Sequence, residues 1–228
     1  MESSLKGDIQ VDAAPSRSQR SAAIPSRARA LGADDWLAAA NALLASDNIR
    51  GVQISVLCRK LGVTKGSFYW HFRNRAGLLR AMLDDWRRRM TLGVVSRLTR
   101  TATNAATRLR ELLSLPRRRF SAPATAVEMS VREWGRRDGA TRRAVQEVDL
   151  IRLQFFEQCF VELGFAPGPA RTRAYLAYAL MMGDSVLRDT LGEQVDDETL
   201  VETACALLAA QAQAPPSRID DSPPHSPD

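Results

Sequence analysis

The chain is poor in the residues that most site chemistry requires. Its 228 residues include three cysteines and two histidines. Cys58, Cys159 and Cys205 are far apart, odd in number and share no metal-ligand spacing, so each reads as a small buried residue rather than a ligand or half of a disulfide. His225 lies in a Pro-rich tail, which leaves His71 alone and argues against a histidine-based metal site. No segment approaches the ~20 consecutive apolar residues that span a bilayer, and the N-terminus lacks the apolar run of a signal peptide. A soluble, cytoplasmic protein without membrane contact is therefore expected. There is no G-x-S-x-G, no phosphate-binding Gly-rich loop and no H-E-x-x-H, so neither catalysis nor a cofactor is expected. Alternating strand patterns are also missing, and the fold class is expected to be all-α.

What the chain does have is positive charge. The formal net charge is +6 and the pI about 9.8, which suits a polyanionic partner. Almost all of the basic charge is arginine, whose planar fork can bind phosphate oxygens or a guanine edge through two parallel hydrogen bonds. Residues 48–83 contain no acidic side chain, yet hold Arg50, Arg59, Lys60, Lys65, Arg73, Arg75 and Arg80.

Helical periodicity divides the chain. Residues 1–29 are polar, without a helical period, and read as a disordered tail carrying Arg17, Arg20, Arg27 and Arg29. From Asp34 onward, Trp36, Leu37, Ala40, Leu43 and Leu44 form one apolar stripe, broken by Ser46-Asp47-Asn48 and Gly51. A second short helix turns Ile54, Leu57, Cys58 and Leu61 inward and ends at Gly62. Thr64 caps a third, Lys65 to Phe72. Asn74 opens a fourth, along which Leu78, Leu79, Met82, Trp86 and Met90 continue the stripe past three arginines. Five further helices are expected near 103–115, 124–137, 140–164, 168–190 and 196–212, followed by a disordered Pro-rich tail at 214–228. A short-helix unit at 30–80 and a helical body at 81–213 complete the expected organisation.

The second and third helices are joined by Gly62-Val63-Thr64. A short Gly-containing turn sets two helices steeply across one another, so that the second can enter a major groove while the first braces on the backbone. Phe68 and Phe72, four residues apart, should pack inward on Ile54, Leu57 and the first helix. That leaves Lys65, Ser67, Tyr69, Trp70 and His71 partly on the free face.

The ordered run Leu61-Gly-Val-Thr-Lys-Gly-Ser-Phe-Tyr-Trp-His-Phe-Arg-Asn-Arg-Ala-Gly-Leu-Leu79 resembles the signature of TetR-type transcriptional regulators, and with the preceding helices the resemblance covers residues 32–82. It implies a three-helix helix-turn-helix head, a linking fourth helix, and a helical C-terminal domain that dimerises and senses a ligand. Carried over by position, Thr64, Lys65, Gly66, Ser67, Tyr69 and His71 would face DNA. Trp70 would line the groove or pack on the helix surface. Arg75 would clamp a phosphate, and Gln53 and Ser55 would meet the backbone or a base. Two positions depart from the family pattern. Gln53 replaces the usual Ser/Thr at its helix start, which weakens capping, and Ser55 stands where a long basic residue is common.

In the C-terminal half, residues 174–183 are apolar nearly all round and require burial on most faces. Tyr175, Tyr178 and Met182, with Leu200, Ala204, Leu207 and Leu208 of the last helix, are expected to form a two-fold dimer interface. Such a homodimer would place two reading helices roughly 34–36 Å apart on double-stranded, palindromic DNA. Trp86, Met90, Phe120, Met129, Trp134, Phe155, Phe156 and Phe160 are candidates to line a cavity for a small-molecule effector. The expected function is a TetR-type repressor released from its operator by that ligand. An activator, a ligand-independent regulator of the same fold and a nonspecific basic DNA binder are the alternatives.

Overall fold

The computed structural model describes residues 31–118, 121–192, 194 and 196–210, and the two tails expected at 1–29 and 214–228 lie outside them. Among the described residues there are helices and no strands. In order these are α1 (Ala33–Gly51), α2 (Ile54–Leu61), α3 (Lys65–His71), α4 (Arg75–Arg87), a π-helical turn (Arg88–Leu92), α5 (Gly93–Thr101), α6 (Ala105–Leu113), a 3₁₀ turn (Leu115–Arg117), α7 (Ser121–Gly135), α8 (Gly139–Glu162), α9 (Pro167–Leu191) and α10 (Asp197–Ala209).

The breaks have local causes. Within the span of α1, Asn48 leaves helical geometry at φ 55°, and its side chain accepts from the Arg50 N–H at 3.0 Å. Gly51 follows because a Cβ there would lie 2.4 Å from Cβ of Asp47. Gly62 adopts φ 67°, and the N–H groups of Gly62 and Val63 donate to the carbonyls of Arg59 and Cys58, closing α2 with a left-handed cap. Asn74, Asn104, Asp138 and Asp196 each accept a backbone N–H in the first turn of the helix they open.

The stripes bury as their periods require. Trp36, Leu44, Leu57, Phe68 and Leu78 are fully enclosed in a first hydrophobic cluster, where Trp36 meets Phe68 edge-on with ring centroids 5.4 Å apart. Val131 of α7 and Val148 of α8 belong to this same cluster, so the core of the head continues into the body. The boundary expected after residue 80 falls inside α4, which passes through it unbroken. A second cluster, built on Leu109, Phe156, Cys159, Phe160, Ala174 and Ala177, holds α6, α8, α9 and α10 together.

The stripe running from Leu78 to Met90 crosses a change of helix type that periodicity did not suggest. At Arg88–Leu92 the helix widens by one residue, and the Gly93 N–H donates to the Arg88 carbonyl five residues back. A Cβ on residue 93 would sit 3.1 Å from that carbonyl oxygen, which makes glycine the natural exit from the turn.

Candidate DNA-binding face and effector cavity

The way α3 is anchored decides which of its faces is open. Phe68 and Phe72 are buried, and this turns the opposite side of a seven-residue helix outward. Lys65, Gly66, Tyr69, Trp70 and His71 are exposed and Ser67 is partly so. Trp70, expected either in the groove or packed on the helix, is 89% exposed and belongs to the open face, beside Tyr69 at 56%. A large aromatic surface left in water on a basic helix marks a contact surface rather than a folding element. Gln53, Ser55 and Thr64 are exposed as well. Neither Gln53 nor Thr64 caps its helix through the side chain; Gln53 instead donates to the Arg50 carbonyl at 3.1 Å.

Arg75, expected to hold a phosphate, is engaged inside the protein. Its Nε donates to the Val52 carbonyl and its Nη2 to the Ile49 carbonyl, both at 2.6 Å. The guanidinium thus ties the start of α4 to the turn between α1 and α2. Two of its five N–H donors are thus used inside the protein, which gives Arg75 a bracing role beside the phosphate contact expected of it.

The body holds a partly open cavity of about 330 Å³ between the π turn and helices α5 to α9. Of the expected lining residues, Met90, Phe155 and Phe156 face it. Trp86 and Phe160 are instead enclosed in the first and second clusters. Met129 and Trp134 are half-buried away from the cavity wall, and Phe120 lies outside the described residues. Residues that the aromatic search passed over supply most of the wall, among them Val94, Val95, Leu112 and Met181.

At one end of the cavity lies a buried charge network. Glu128 of α7 accepts from Arg152 of α8 through both Nη atoms at 3.0 Å, from Arg132 at 2.8 Å and from the indole N–H of Trp86 at 2.9 Å. Arg152 also donates to Thr91 Oγ1 at 2.9 Å and to the Met90 carbonyl at 3.3 Å, both in the π turn. Burial opposes the charge on Glu128, but Arg152 and Arg132 outweigh it and hold the carboxyl below its ordinary range. Burial likewise opposes the charge on Arg152, and Glu128 more than restores it. Tyr178 donates to Asp149 at 2.6 Å. Burial chiefly, helped by that bond, pushes its hydroxyl up to about 12. Sequence reasoning missed Glu128 and Arg152. The available signal was a charge standing within an apolar stripe, Glu128 between Val127 and Val131 and Arg152 between Val148 and Phe155.

The expected dimer residues fall into two groups. Tyr175 and Leu207 are exposed. Tyr178 is tied into the charge network, Met182 lines the cavity, and Ala204 and Leu208 pack in the second cluster, with Leu200 half-buried; these positions serve the interior of one chain. The exposed apolar face of α9 is formed instead by Leu176, Leu180, Val186, Leu187 and Leu191. Among the described residues no cluster of His, Cys, Asp or Glu could hold a metal, and no helix is long and apolar enough to cross a membrane.

A basic helix-turn-helix with an open reading face, carried on an all-helical body, defines a DNA-binding transcriptional regulator. Residues 37–82 match the model of the bacterial regulatory proteins of the tetR family, so this segment is a DNA-binding domain of that kind. No curated protein matches the chain. Solved structures share the fold. A TetR-family regulator from Rhodococcus sp. is 20% identical with a TM-score of 0.61, over 78% of this chain and 98% of that one. A regulator from Saccharomonospora viridis in complex with choline is 17% identical with a TM-score of 0.58, over 75% and 92%. FadR from Bacillus subtilis in complex with stearoyl-CoA is 15% identical with a TM-score of 0.57, over 77% and 96%.

Proposed function

We propose that the chain is a repressor that binds a palindromic operator as a homodimer through α3, and that a small molecule entering the body cavity releases it. The observation that carries this reading is the position of the π turn. Arg89, Met90 and Thr91 form part of the cavity wall, and the same turn continues α4, whose first residue, Arg75, braces the helix-turn-helix. A ligand that presses on the wall therefore acts on the helix that orients the reading head. Release follows only if the ligand binds the DNA-incompetent arrangement more tightly than the competent one. Two fold relatives crystallised with small molecules, one with choline and one with stearoyl-CoA, are consistent with a cavity whose contents differ from protein to protein.

In this reading the second copy of the chain covers the exposed stripe of α9, together with Leu207 of α10. Ala179 and Gly183 lie within the stripe and allow two such helices to approach closely across a two-fold axis. Residues on α3 then divide the recognition work. Lys65, Ser67, Tyr69 and His71 contact phosphates or base edges, and Trp70 offers an apolar surface to the groove.

The test is selection of binding sequences from random DNA, followed by footprinting and sedimentation of the complex. Enrichment of a two-fold symmetric site protected by two chains is the expected result. Equal binding to all sequences, with a salt dependence set by charge alone, would contradict the repressor reading.

A further inference from the structure

The wall of the cavity specifies what can occupy it, if the effector reading holds. Its apolar part comes from Val94, Leu112, Phe155, Phe156 and Met181. Four ionised side chains also reach the wall: Arg89, Arg118, Arg152 and Glu128. Each already has a protein partner. Arg152 is bonded to Glu128, Glu128 also to Arg132, Arg89 to Asp85 at 2.7 Å, and Arg118 to Glu111. A charged ligand entering here would lose its hydration and find its natural counter-ion committed elsewhere, so it would have to break a pair to gain one. Thr91, Thr125 and Ser185 are the uncharged hydroxyl residues among those lining the wall, and Ser185 donates to the Met181 carbonyl at 2.9 Å, which leaves its oxygen free to accept. Thr91 accepts from Arg152 and keeps its own proton to donate. Filled at the density of a protein interior, 330 Å³ accepts on the order of 12–15 non-hydrogen atoms.

We propose that the cavity binds an uncharged, predominantly apolar molecule of that size, carrying one or two hydroxyl or carbonyl groups that meet the threonine and serine side chains. Selectivity against ions comes from the pairing of each charged side chain on the wall, not from the shape of its apolar part. The ligand sits against Met90 and Thr91 and so touches the π turn directly.

Three probes with the same hydrocarbon body separate the possibilities: 2-acetylnaphthalene, 2-naphthoate and 2-naphthylmethylammonium. Calorimetric titration of the full chain is expected to give one site per chain for the neutral probe, with affinity at least tenfold higher than for either ion. Ala124→Trp on α7 and, independently, Val94→Phe on α5 fill the cavity and should abolish that binding while thermal melting shows a folded protein. Tighter or equal binding of the naphthoate would assign the site to anions through Arg89 or Arg118. Tighter or equal binding of the ammonium would assign it to cations through Glu128. Either result overturns the proposal, as does failure of all three probes to bind, or neutral-probe binding that survives both filling variants. Fluorescence anisotropy on the selected operator then separates the two readings. If the neutral probe binds in the cavity but DNA is not released, the ligand class stands and ligand-driven release fails.

Discussion

Replacing Glu128 by Ala is the sharpest perturbation of the body. The carboxylate is buried and receives hydrogen bonds from three side chains, Arg152, Arg132 and Trp86. Removing it leaves Arg152 nearly buried with an uncompensated charge, and leaves the indole N–H of Trp86 without its acceptor. Breaking one side of a buried ion pair costs about 3–5 kcal/mol, and an orphaned buried donor costs a further 1–3 kcal/mol or so. Arg152 keeps Thr91, the Met90 carbonyl and Tyr178 as partners, which limits the loss. A net destabilisation of about 4 kcal/mol is therefore expected. Glu128→Gln keeps an acceptor and should cost less. The double variant Glu128→Met/Arg152→Met removes both charges and should be markedly less damaging than the sum of the single variants. Urea denaturation followed by circular dichroism of these variants, and of Glu128→Met and Arg152→Met singly, measures the differences. A Glu128→Ala cost below about 1 kcal/mol, or strict additivity in the double variant, would refute the claim that this pair organises the body.

Other expectations follow from single contacts. Arg75→Lys cannot reproduce the two backbone bonds to Val52 and Ile49; a loss of roughly 1.5–3 kcal/mol per charge-assisted bond is the upper range. The change should lower both the melting temperature and operator affinity, whereas a pure phosphate contact would lower affinity alone. Gly51→Ala forces a Cβ to within 2.4 Å of Asp47 and should destabilise by about 1–3 kcal/mol in the same denaturation assay. Tyr178 has a hydroxyl pKa raised from 10.0 to about 12, so the fold favours its protonated form. Its contribution is complete below pH 10 and is lost as pH rises towards 12, an alkaline slope that Tyr178→Phe should flatten in melting curves. Glu128, shifted the other way, contributes fully above the ordinary carboxylate range, and that stability is lost as pH falls from there through its lowered pKa, an acid slope that Glu128→Gln should remove in melting curves.

The head was legible in the sequence because its determinants are local. Gly62, Asn74 and the spacing of Phe68 and Phe72 each act within one turn of chain, and each is where the pattern placed it. The body was legible as helices but not as a site. Cavity walls are assembled from separate helices, and a core aromatic in an apolar stripe can lie away from the cavity, as Trp86 and Phe160 do, or border it, as Phe155 and Phe156 do. Periodicity fixes the inward face of a helix and does not distinguish these outcomes. Arg75 illustrates a different limit. Its partners are backbone carbonyls 23 and 26 residues away, which no local pattern encodes. The π turn was hidden for a similar reason: it is stabilised by Arg152, 61 residues distant from Thr91.

The most direct measurement of whether α3 reads DNA compares affinity for an enriched operator with affinity for a scrambled duplex of the same length, at fixed salt, for the unaltered chain and for Tyr69→Ala. Tyr69 is exposed and touches the core only where its ring meets Phe68 edge-on, so the variant should melt close to the parent. The expected result is a strong preference of the parent for the operator, a preference that collapses in Tyr69→Ala while binding to the scrambled duplex changes little. Equal binding of both duplexes by the parent, or an undiminished preference in the variant, would contradict α3 as the reading helix.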